Sequence, residues 1–293
     1  MKKLPMVLVG VLGVVAVQAS DFVGLVDMKF QTEYVYRGRR EMRKAFAPTV
    51  EIGYVGISDT EIYAGVEAAL SLEDSGFLAK MEDGSFDAYF RHNWFNRISP
   101  YAGVAYKVND TFSVDVGYAR NFRLGIRNFS DEFREGDSKN NNNNSYLGGK
   151  RDTGEIYAGI SVDVPLNPSL YCFYDFGCKE IGAEGKVQHF TDFSDNVSPG
   201  LGLDLGAKFG YVNSKRPYGF DDADAFAEKK DYFYYGANAD LVYEVVDGTK
   251  LRAGISYEGN SASDKHVSDK DYWVNVLGHK HNLWFNAAVT CSF

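Results

Sequence analysis

The chain has 293 residues, and its 31 Lys and Arg against 40 Asp and Glu give a formal net charge of −9 at pH 7. This acidic balance argues against nucleic acid and anionic lipid surfaces as partners. Aromatic residues make up 15% of the chain and prolines number only 7, which favours a protein of many strands over a helical enzyme. No later segment approaches the roughly 18 consecutive apolar residues of a spanning helix, so membrane insertion is expected to use strands.

The first residues are typical of a secretory signal peptide. Lys2 and Lys3 form a positive start, residues 6–16 are apolar, and Val17-Gln18-Ala19 is a small-residue cleavage site. The sequence therefore predicts export with removal of residues 1–19. Residues 20–293 are expected to form a single domain.

About twelve segments alternate apolar and polar side chains with the period of two that indicates strands, and ten or fourteen strands are also compatible with the pattern. In chain order they are Val26–Tyr36, Phe46–Tyr54, Ile62–Leu70, Ala102–Tyr106, Phe112–Tyr118, Ile156–Val162, Leu170–Phe176, Ile181–Val187, Leu201–Tyr211, Tyr235–Tyr243, Leu251–Tyr257 and Leu283–Phe293. Between residues 72 and 99 two interpretations stay open. Phe86 to Arg97 either extends the fourth strand above the membrane or forms a separate loop.

The last strand is the most informative segment. Leu283, Phe285 and Val289 fall on one face of it, and the chain stops on Phe293. A chain that ends inside a strand leaves an open sheet edge unless that strand pairs with the first one and closes a barrel. The ending resembles the C-terminal strand of bacterial outer-membrane barrels, in which a terminal aromatic is the assembly signal. We therefore predict an all-β, antiparallel up-and-down transmembrane β-barrel, with a soluble β-sandwich or periplasmic barrel as the rival.

Connections alternate between short and long, which predicts short turns on the periplasmic side and long polar loops outside. Outward aromatic residues then form two belts at the membrane surfaces. The outer belt comprises Tyr36, Tyr118, Tyr211 and Tyr257, and the inner belt comprises Tyr54, Phe112, Tyr243 and Phe293.

Two short motifs lie in the first strands. The first hairpin carries Tyr36-Arg37-Gly38 at its tip after Thr32-Glu33-Tyr34, and the segment Glu61 to Val66 reads Glu-Ile-Tyr-Ala-Gly-Val. With the signal peptide, the hairpin order and the terminal aromatic, the chain resembles the bacterial outer-membrane β-barrel proteins known as TorF-family putative porins. The resemblance implies a barrel with a pore and supplies no substrate.

The polar faces of the strands predict the lumen of the barrel. Acidic side chains outnumber basic ones there, which would favour cations if water passes through. The predicted lumen-lining residues are Asp27, Lys29, Glu33, Arg37, Glu51, Glu67, Lys107, Asp115, Glu155, Asp175, Asp204, Lys208, Asp240, Arg252 and Glu258. An alternative is that opposite charges pair across the lumen and plug it. The segment Arg123 to Asp152 either folds inward as a constriction or forms a surface loop.

These features predict a porin-like channel in the outer membrane of a Gram-negative bacterium, through which small hydrophilic solutes diffuse passively, with a preference for cations. The runner-up is a structural or surface-interaction barrel with a plugged lumen, and a barrel enzyme comes third. We expect no catalytic residue, no metal site and no cofactor. The expected partners are outer-membrane lipid, the barrel-assembly machinery, and small hydrophilic solutes or ions, and the oligomeric state stays open.

Overall fold

The computed structural model describes residues 21–72, 78–80, 86–88, 96–123, 152–177, 179–194, 197–214, 231–261 and 281–293. These residues contain β1 (Phe22–Tyr36), β2 (Arg39–Ile57), β3 (Thr60–Ser71), β4 (Leu78–Lys80), β5 (Phe86–Ala88), β6 (Arg97–Lys107), β7 (Phe112–Arg123), β8 (Asp152–Val162), β9 (Ser169–Asp175), β10 (Glu180–Asp192), β11 (Leu201–Ser214), β12 (Asp231–Val246), β13 (Thr249–Asn260) and β14 (His281–Ser292). The predicted signal peptide and the interior of the segment 123–152 lie outside the described residues.

Twelve of the strands form a closed antiparallel barrel in the order β1-β14-β13-β12-β11-β10-β9-β8-β7-β6-β3-β2, and each strand pairs with its neighbour in the order. This confirms the predicted fold and strand number. We call the end of the barrel that holds Phe293 the inner end and the opposite end the outer end. None of the described residues forms a helix that is long and apolar enough to cross a membrane.

The barrel closes where the sequence predicts. Leu25 to Gln31 of β1 pair with Asn286 to Ser292 of β14. Two backbone hydrogen bonds then join Gly24 and Phe293, at 2.7 and 3.1 Å between nitrogen and oxygen. The Phe293 ring lies directly on Gly24, where a Cβ atom would overlap it. The chain end is thus fastened to the first strand by both backbone and ring.

The ambiguous segment after β3 contains a separate element. Phe86–Ala88 is β5, which pairs with β4 in a two-stranded sheet outside the barrel. The fourth barrel strand, β6, begins only at Arg97 and pairs with β3. Phe86–Ala88 is therefore a separate element and not part of a taller fourth strand, and residues 89–95 lie outside the described residues.

The outward face of the barrel is apolar. Large aliphatic and aromatic side chains alternate outward along the strands, and Val116 and Phe285 are 60% and 63% exposed. Tyr118 at the outer end and Phe112, Tyr243 and Phe293 at the inner end are among the exposed residues. In water such a surface would be costly, whereas in a bilayer it is the surface that lipid chains cover.

The first hairpin departs from the wall of the barrel. β1 pairs with β14 only as far as Gln31, and β2 pairs with β3 only from Ala45 onward, so within the described part of the chain residues 32–44 pair only with each other. Within this segment the inward face changes parity, because Lys29 and Gln31 are followed by an inward Tyr34. The prediction of Tyr36 as an outward belt residue is therefore wrong: its ring packs against buried Tyr34, Met42 and Ala45 inside the barrel.

Replacing Val116 by Arg tests the outward face. A charged side chain in the middle of a lipid-facing strand is expected to lower the free energy of unfolding in lipid by about 2–4 kcal/mol. The measurement is a denaturant titration of the folded protein in lipid vesicles, with Val116→Leu as a control that keeps the side chain apolar. An unchanged stability of Val116→Arg would contradict the assignment of this face to lipid.

Candidate functional site

The site lies in the lumen and is built partly by the first hairpin, residues 32–44. Its base is held to the wall at two points. Thr32 Oγ1 accepts a hydrogen bond from the backbone N–H of Phe285 at 3.0 Å. The carbonyl of Lys44, a residue with a φ of 42°, accepts one from the N–H of Leu72 at 2.7 Å. Beyond these anchors the hairpin does not pair through its backbone with β14 or β3, and it bends into the lumen.

The tip of the hairpin is a two-residue turn made by Arg37 and Gly38, between the paired residues Tyr36 and Arg39. Both turn residues have positive φ, 52° and 74°, as a type I′ turn requires. Gly38 is also needed for close approach, because a Cβ atom there would lie 2.5 Å from the Cβ of Tyr234 on β12. The tip therefore touches a wall strand that is three places from β1 around the barrel.

The side chain of Arg37 reaches across the lumen to strands opposite β1. Its Nη2 lies 2.8 Å from both carboxylate oxygens of Glu155 on β8, and its Nη1 lies 3.0 Å from Oε1 of Glu180 on β10. Its Cζ lies 3.3 Å from the ring centroid of Phe173 on β9. We call Glu155, Phe173 and Glu180 the Arg37 seat. The three charged side chains are only 11%, 10% and 4% exposed, so this contact is made away from bulk water.

The seat belongs to a row of carboxylates. Glu155 lies directly opposite Asp175 in the register of β8 and β9, and Asp175 lies directly opposite Glu180 in that of β9 and β10. All three residues are buried. Like charges that face each other across strands destabilise a sheet. A cation in front of this row offsets that repulsion, and Arg37 supplies it.

Backbone atoms at the tip are also bound. The N–H of Gly38 donates to Oε2 of Glu258 at 2.9 Å, and the carbonyl of Gly38 accepts from Nδ2 of Asn260 at 2.7 Å. The hydroxyl of Tyr232 donates to the carbonyl of Arg37 at 3.1 Å. The tip is thus held by β12 and β13 as well as by the seat, and it crosses the outer end of the lumen from wall to wall.

A second arginine supports the hairpin nearer its base. Arg97, which is buried at the start of β6, donates from Nη2 to the hydroxyl of Tyr34 at 2.6 Å and to Oε1 of Glu67 at 2.8 Å. Its guanidinium also lies over the ring of Tyr36, 4.3 Å from the centroid. This cluster fills the space between the hairpin and strands β3 and β6.

On the inner side of the hairpin, part of the lumen wall is lined by carboxylates and tyrosines. Tyr63 and Tyr171 donate to the two oxygens of Asp115 at 2.7 and 3.2 Å, and Tyr101 donates to Glu51 at 2.7 Å. We call this region the acid-tyrosine wall; its members are Glu51, Glu61, Tyr63, Tyr101, Asp115, Tyr157 and Tyr171, on β2, β3 and β6 to β9. All of them are partly accessible to solvent.

The acids of this wall differ from those of the seat in what they bind. Within the described residues, the structure gives Glu51, Glu61 and Asp115 no ion pair with a lysine or arginine. The charges that act on Glu61 are the carboxylates of Glu51 and Asp115. This side of the lumen is therefore negative.

Three basic side chains of the lumen, Lys29, Lys208 and Arg252, lie on the other side, on β1, β11 and β13. Arg252 donates to Asp27 at 2.9 Å, and Lys208 forms an ion pair with Glu258, the residue that also binds the hairpin tip. Lys29 faces the same region, where the opposite charges of Asp240 and Asp27 act on it. The lumen therefore carries mixed charge on one side and acids with tyrosines on the other.

The structure distributes the other predicted lumen residues as follows. Glu67 binds Arg97, and Lys107 lies at the inner rim, where it pairs with Asp110 at 3.1 Å. Asp204 and Asp240 are buried and directly opposite each other, and they accept from Gln188 and Asn238. Glu33 is on the hairpin next to Tyr34, beyond the change of parity, so simple alternation does not place it on the wall.

Sequence reasoning missed Phe173, Glu180 and Arg97 as parts of the site. Phe173 and Glu180 do lie on the inward parity of β9 and β10, so a strict continuation of the alternation would have found them. Their role depends on the position of Arg37, however, and the linear pattern does not contain it.

Comparison with known proteins gives a fold and no family. No family model and no curated protein matches the chain. Among solved structures, an outer membrane channel from Pseudomonas putida F1 is similar with a TM-score of 0.50 and 10% sequence identity, over 95% of this chain and 97% of the other. At this identity the similarity shows the barrel fold alone.

Two further structures are more distant. The NanC porin has a TM-score of 0.47 and 11% identity, over 91% of this chain and 98% of the other. LpxR from Salmonella typhimurium has a TM-score of 0.47 and 8% identity, over 91% of this chain and 99% of the other.

Tyr34→Phe tests the cluster at the hairpin base. It removes the hydroxyl that joins Arg97 to Glu67, so the free energy of unfolding is expected to fall by about 1–2 kcal/mol. The matched control is Tyr118→Phe, at an outward exposed tyrosine to which no described residue gives a hydrogen bond. Denaturant titration of both variants in the same lipid measures the difference, and equal stabilities would contradict a structural role for the Tyr34 hydroxyl.

Proposed function

We propose that the protein is an outer-membrane channel through which small hydrophilic solutes diffuse passively, with a preference for cations. A closed barrel with an apolar outward face suits a bilayer, and the signal-like residues 1–19 fit export to the outer membrane of a Gram-negative bacterium. The resemblance to TorF-family putative porins supports the same function.

The observation that carries the cation preference is the acid-tyrosine wall. Glu51, Glu61 and Asp115 face the lumen, are partly solvated, and have no ion pair within the described residues. Carboxylates that are not neutralised by a neighbouring cation raise the local concentration of mobile cations and repel anions. Acids bound to arginine, such as Glu155, contribute much less to this field because their charge is already compensated.

The crossing hairpin gives the channel its narrow section. Arg37, Glu155 and Glu180 are almost inaccessible to solvent, whereas the acid-tyrosine wall is partly exposed. A solute therefore meets a wetted, negative inner lumen and a constriction at the outer end. The hairpin selects solutes by their size, and the acid-tyrosine wall selects them by their charge.

The same hairpin favours the second candidate function, a structural or surface-interaction barrel with a plugged lumen. Its tip is bound by four strands of the wall, β8, β10, β12 and β13. If these contacts never open, no solute passes and the outer loops are the functional part.

Reversal potentials in planar bilayers test the channel. The purified protein is expected to conduct and to give a cation-selective reversal potential in a KCl gradient. The triple variant Glu51→Gln, Glu61→Gln, Asp115→Asn should move that potential towards zero, because it removes the uncompensated lumen charge. The matched control, Asp59→Asn, Asp163→Asn, Asp247→Asn, removes three exposed charges of the inner turns and should change the potential much less.

Each other outcome selects a different function. Absence of current from the native protein would reject the channel and favour the plugged barrel. An equal shift in the two triple variants would reject the acid-tyrosine wall as the selective element. Hydrolysis of lipid or peptide by the purified barrel would favour an enzyme.

A further inference from the structure

Arg37 occupies its seat in the way that a bound ligand occupies a pocket. Two carboxylates from different strands hold the two Nη atoms of its guanidinium group, at 2.8 and 3.0 Å, and the Phe173 ring stacks against its carbon at 3.3 Å. Glu155, Phe173 and Glu180 come from β8, β9 and β10, so the seat belongs to the wall of the barrel, and only its occupant comes from the hairpin.

The geometry of the seat specifies the chemical class that it recognises. A guanidinium group is planar, presents several N–H donors in one plane, and stacks on aromatic faces, whereas a simple metal ion uses none of these features. The Glu155, Asp175 and Glu180 row supplies the acceptors on one side, and Phe173 supplies the flat face. The seat therefore suits guanidino compounds better than inorganic cations.

The occupant is attached to the end of the first hairpin, which does not pair with the neighbouring wall strands. Residues 32–44 have no backbone pairing with β14 or β3, and their base is fixed by the contacts of Thr32 and Lys44. Among the described residues, the hydrogen bonds to the tip come from the side chains of Glu155, Glu180, Glu258, Tyr232 and Asn260. Such a segment opens at a lower free-energy cost than the wall does.

We propose that the Arg37 seat is a binding site for guanidino solutes, and that Arg37 is its internal competitor, so that a solute which takes the seat releases the hairpin tip and opens the outer end of the lumen. The release of the tip is a property of the folded barrel, and its effect on solute passage rests on the proposed channel function.

The solute and the Arg37 side chain compete for the same seat. The solute binds only when the tip has left the seat, so its apparent affinity is reduced by the fraction of time that the seat is free. Equally, the solute shifts the hairpin towards the open state because it binds that state alone. Removing Arg37 removes the competitor, and a solute should then bind more tightly.

Hydrogen exchange of residues 33–43, measured by mass spectrometry on the folded protein in detergent, tests the release of the tip. Agmatine, a small molecule with a guanidinium and an ammonium group, is the probe, and KCl of equal ionic strength is the control for screening. Agmatine is expected to raise exchange in this segment by about tenfold over KCl, since it competes for charge-assisted hydrogen bonds. Equal effects of agmatine and KCl would overturn the proposal.

Three variants sharpen the test. Arg37→Ala should exchange fast without agmatine and bind agmatine at least about tenfold more tightly than the native protein in calorimetry, because the competitor is gone. Arg37→Ala, Glu155→Gln, Glu180→Gln, which removes both carboxylates that bind the guanidinium group, should exchange fast and lose agmatine binding. In Arg252→Ala, which removes a lumen arginine with a single carboxylate partner, the tip should stay protected. Tight agmatine binding that survives the Glu155 and Glu180 replacements would also overturn the proposal.

Conductance separates this proposal from the channel function. If both hold, the Arg37→Ala variant carries more current than the native barrel does. Agmatine also raises the current through the native barrel. Current that is the same in native protein and Arg37→Ala overturns the role of the tip in opening while the channel stands. The expected exchange and binding results without any current overturn the channel while the seat and its ligand stand.

Discussion

The structure depends on where the backbone pairing of the first hairpin stops. β1 is bound to β14 up to Gln31, and β2 is bound to β3 from Ala45, so in the described residues the hairpin continues beyond its pairing with the wall. An extended pair of strands beyond the wall exposes backbone and side chains unless it finds a surface to cover. In this barrel the surface is the inside of the opposite wall. The bend at Lys44 and the change of parity before Tyr34 turn the hairpin towards it.

Once the hairpin enters the lumen, its charges dictate the chemistry of the outer end. Removing a guanidinium from water is costly unless carboxylates with good geometry replace the solvent. The Arg37 seat replaces the solvent around the guanidinium group with two carboxylates and an aromatic face. Glu258 binds the backbone of the tip with one carboxylate oxygen and Lys208 with the other. At the base of the hairpin, Glu67 and Tyr34 replace the solvent around the guanidinium group of Arg97 in the same way. Two buried arginines thus fix two levels of one hairpin, and in doing so they narrow the lumen.

Sequence patterns predicted the walls of the barrel and did not predict its interior. Alternation fixed the twelve strands, the closure by Phe293 and the outward face, because side chains on an extended strand alternate whatever the tertiary context. The same rule failed at Tyr36, since Thr32, Tyr34 and Tyr36 keep the alternation in sequence after the strand has left the wall. A cue was present at the tip: Arg37-Gly38 is a short turn at the outer end, where most connections are long, and it carries a charge. The acids that bind the Arg37 side chain can be identified only from the closure of the barrel, because closure places β1 opposite β9.

The lumen acids therefore have two physical roles that are separated in space. Glu155 and Glu180 are buried and bound to Arg37. Because the arginine compensates their charge, they hold the hairpin and add little to the electric field in the lumen. Glu51, Glu61 and Asp115 are partly solvated and are bound, where they are bound, by neutral tyrosine hydroxyls, which orient a carboxylate without cancelling its charge. Tyrosine suits this wall better than lysine would, because a lysine would neutralise the carboxylate that it binds. In the proposed channel, closure at the outer end and charge selection on the inner wall would therefore change independently, since no side chain of the seat belongs to the acid-tyrosine wall.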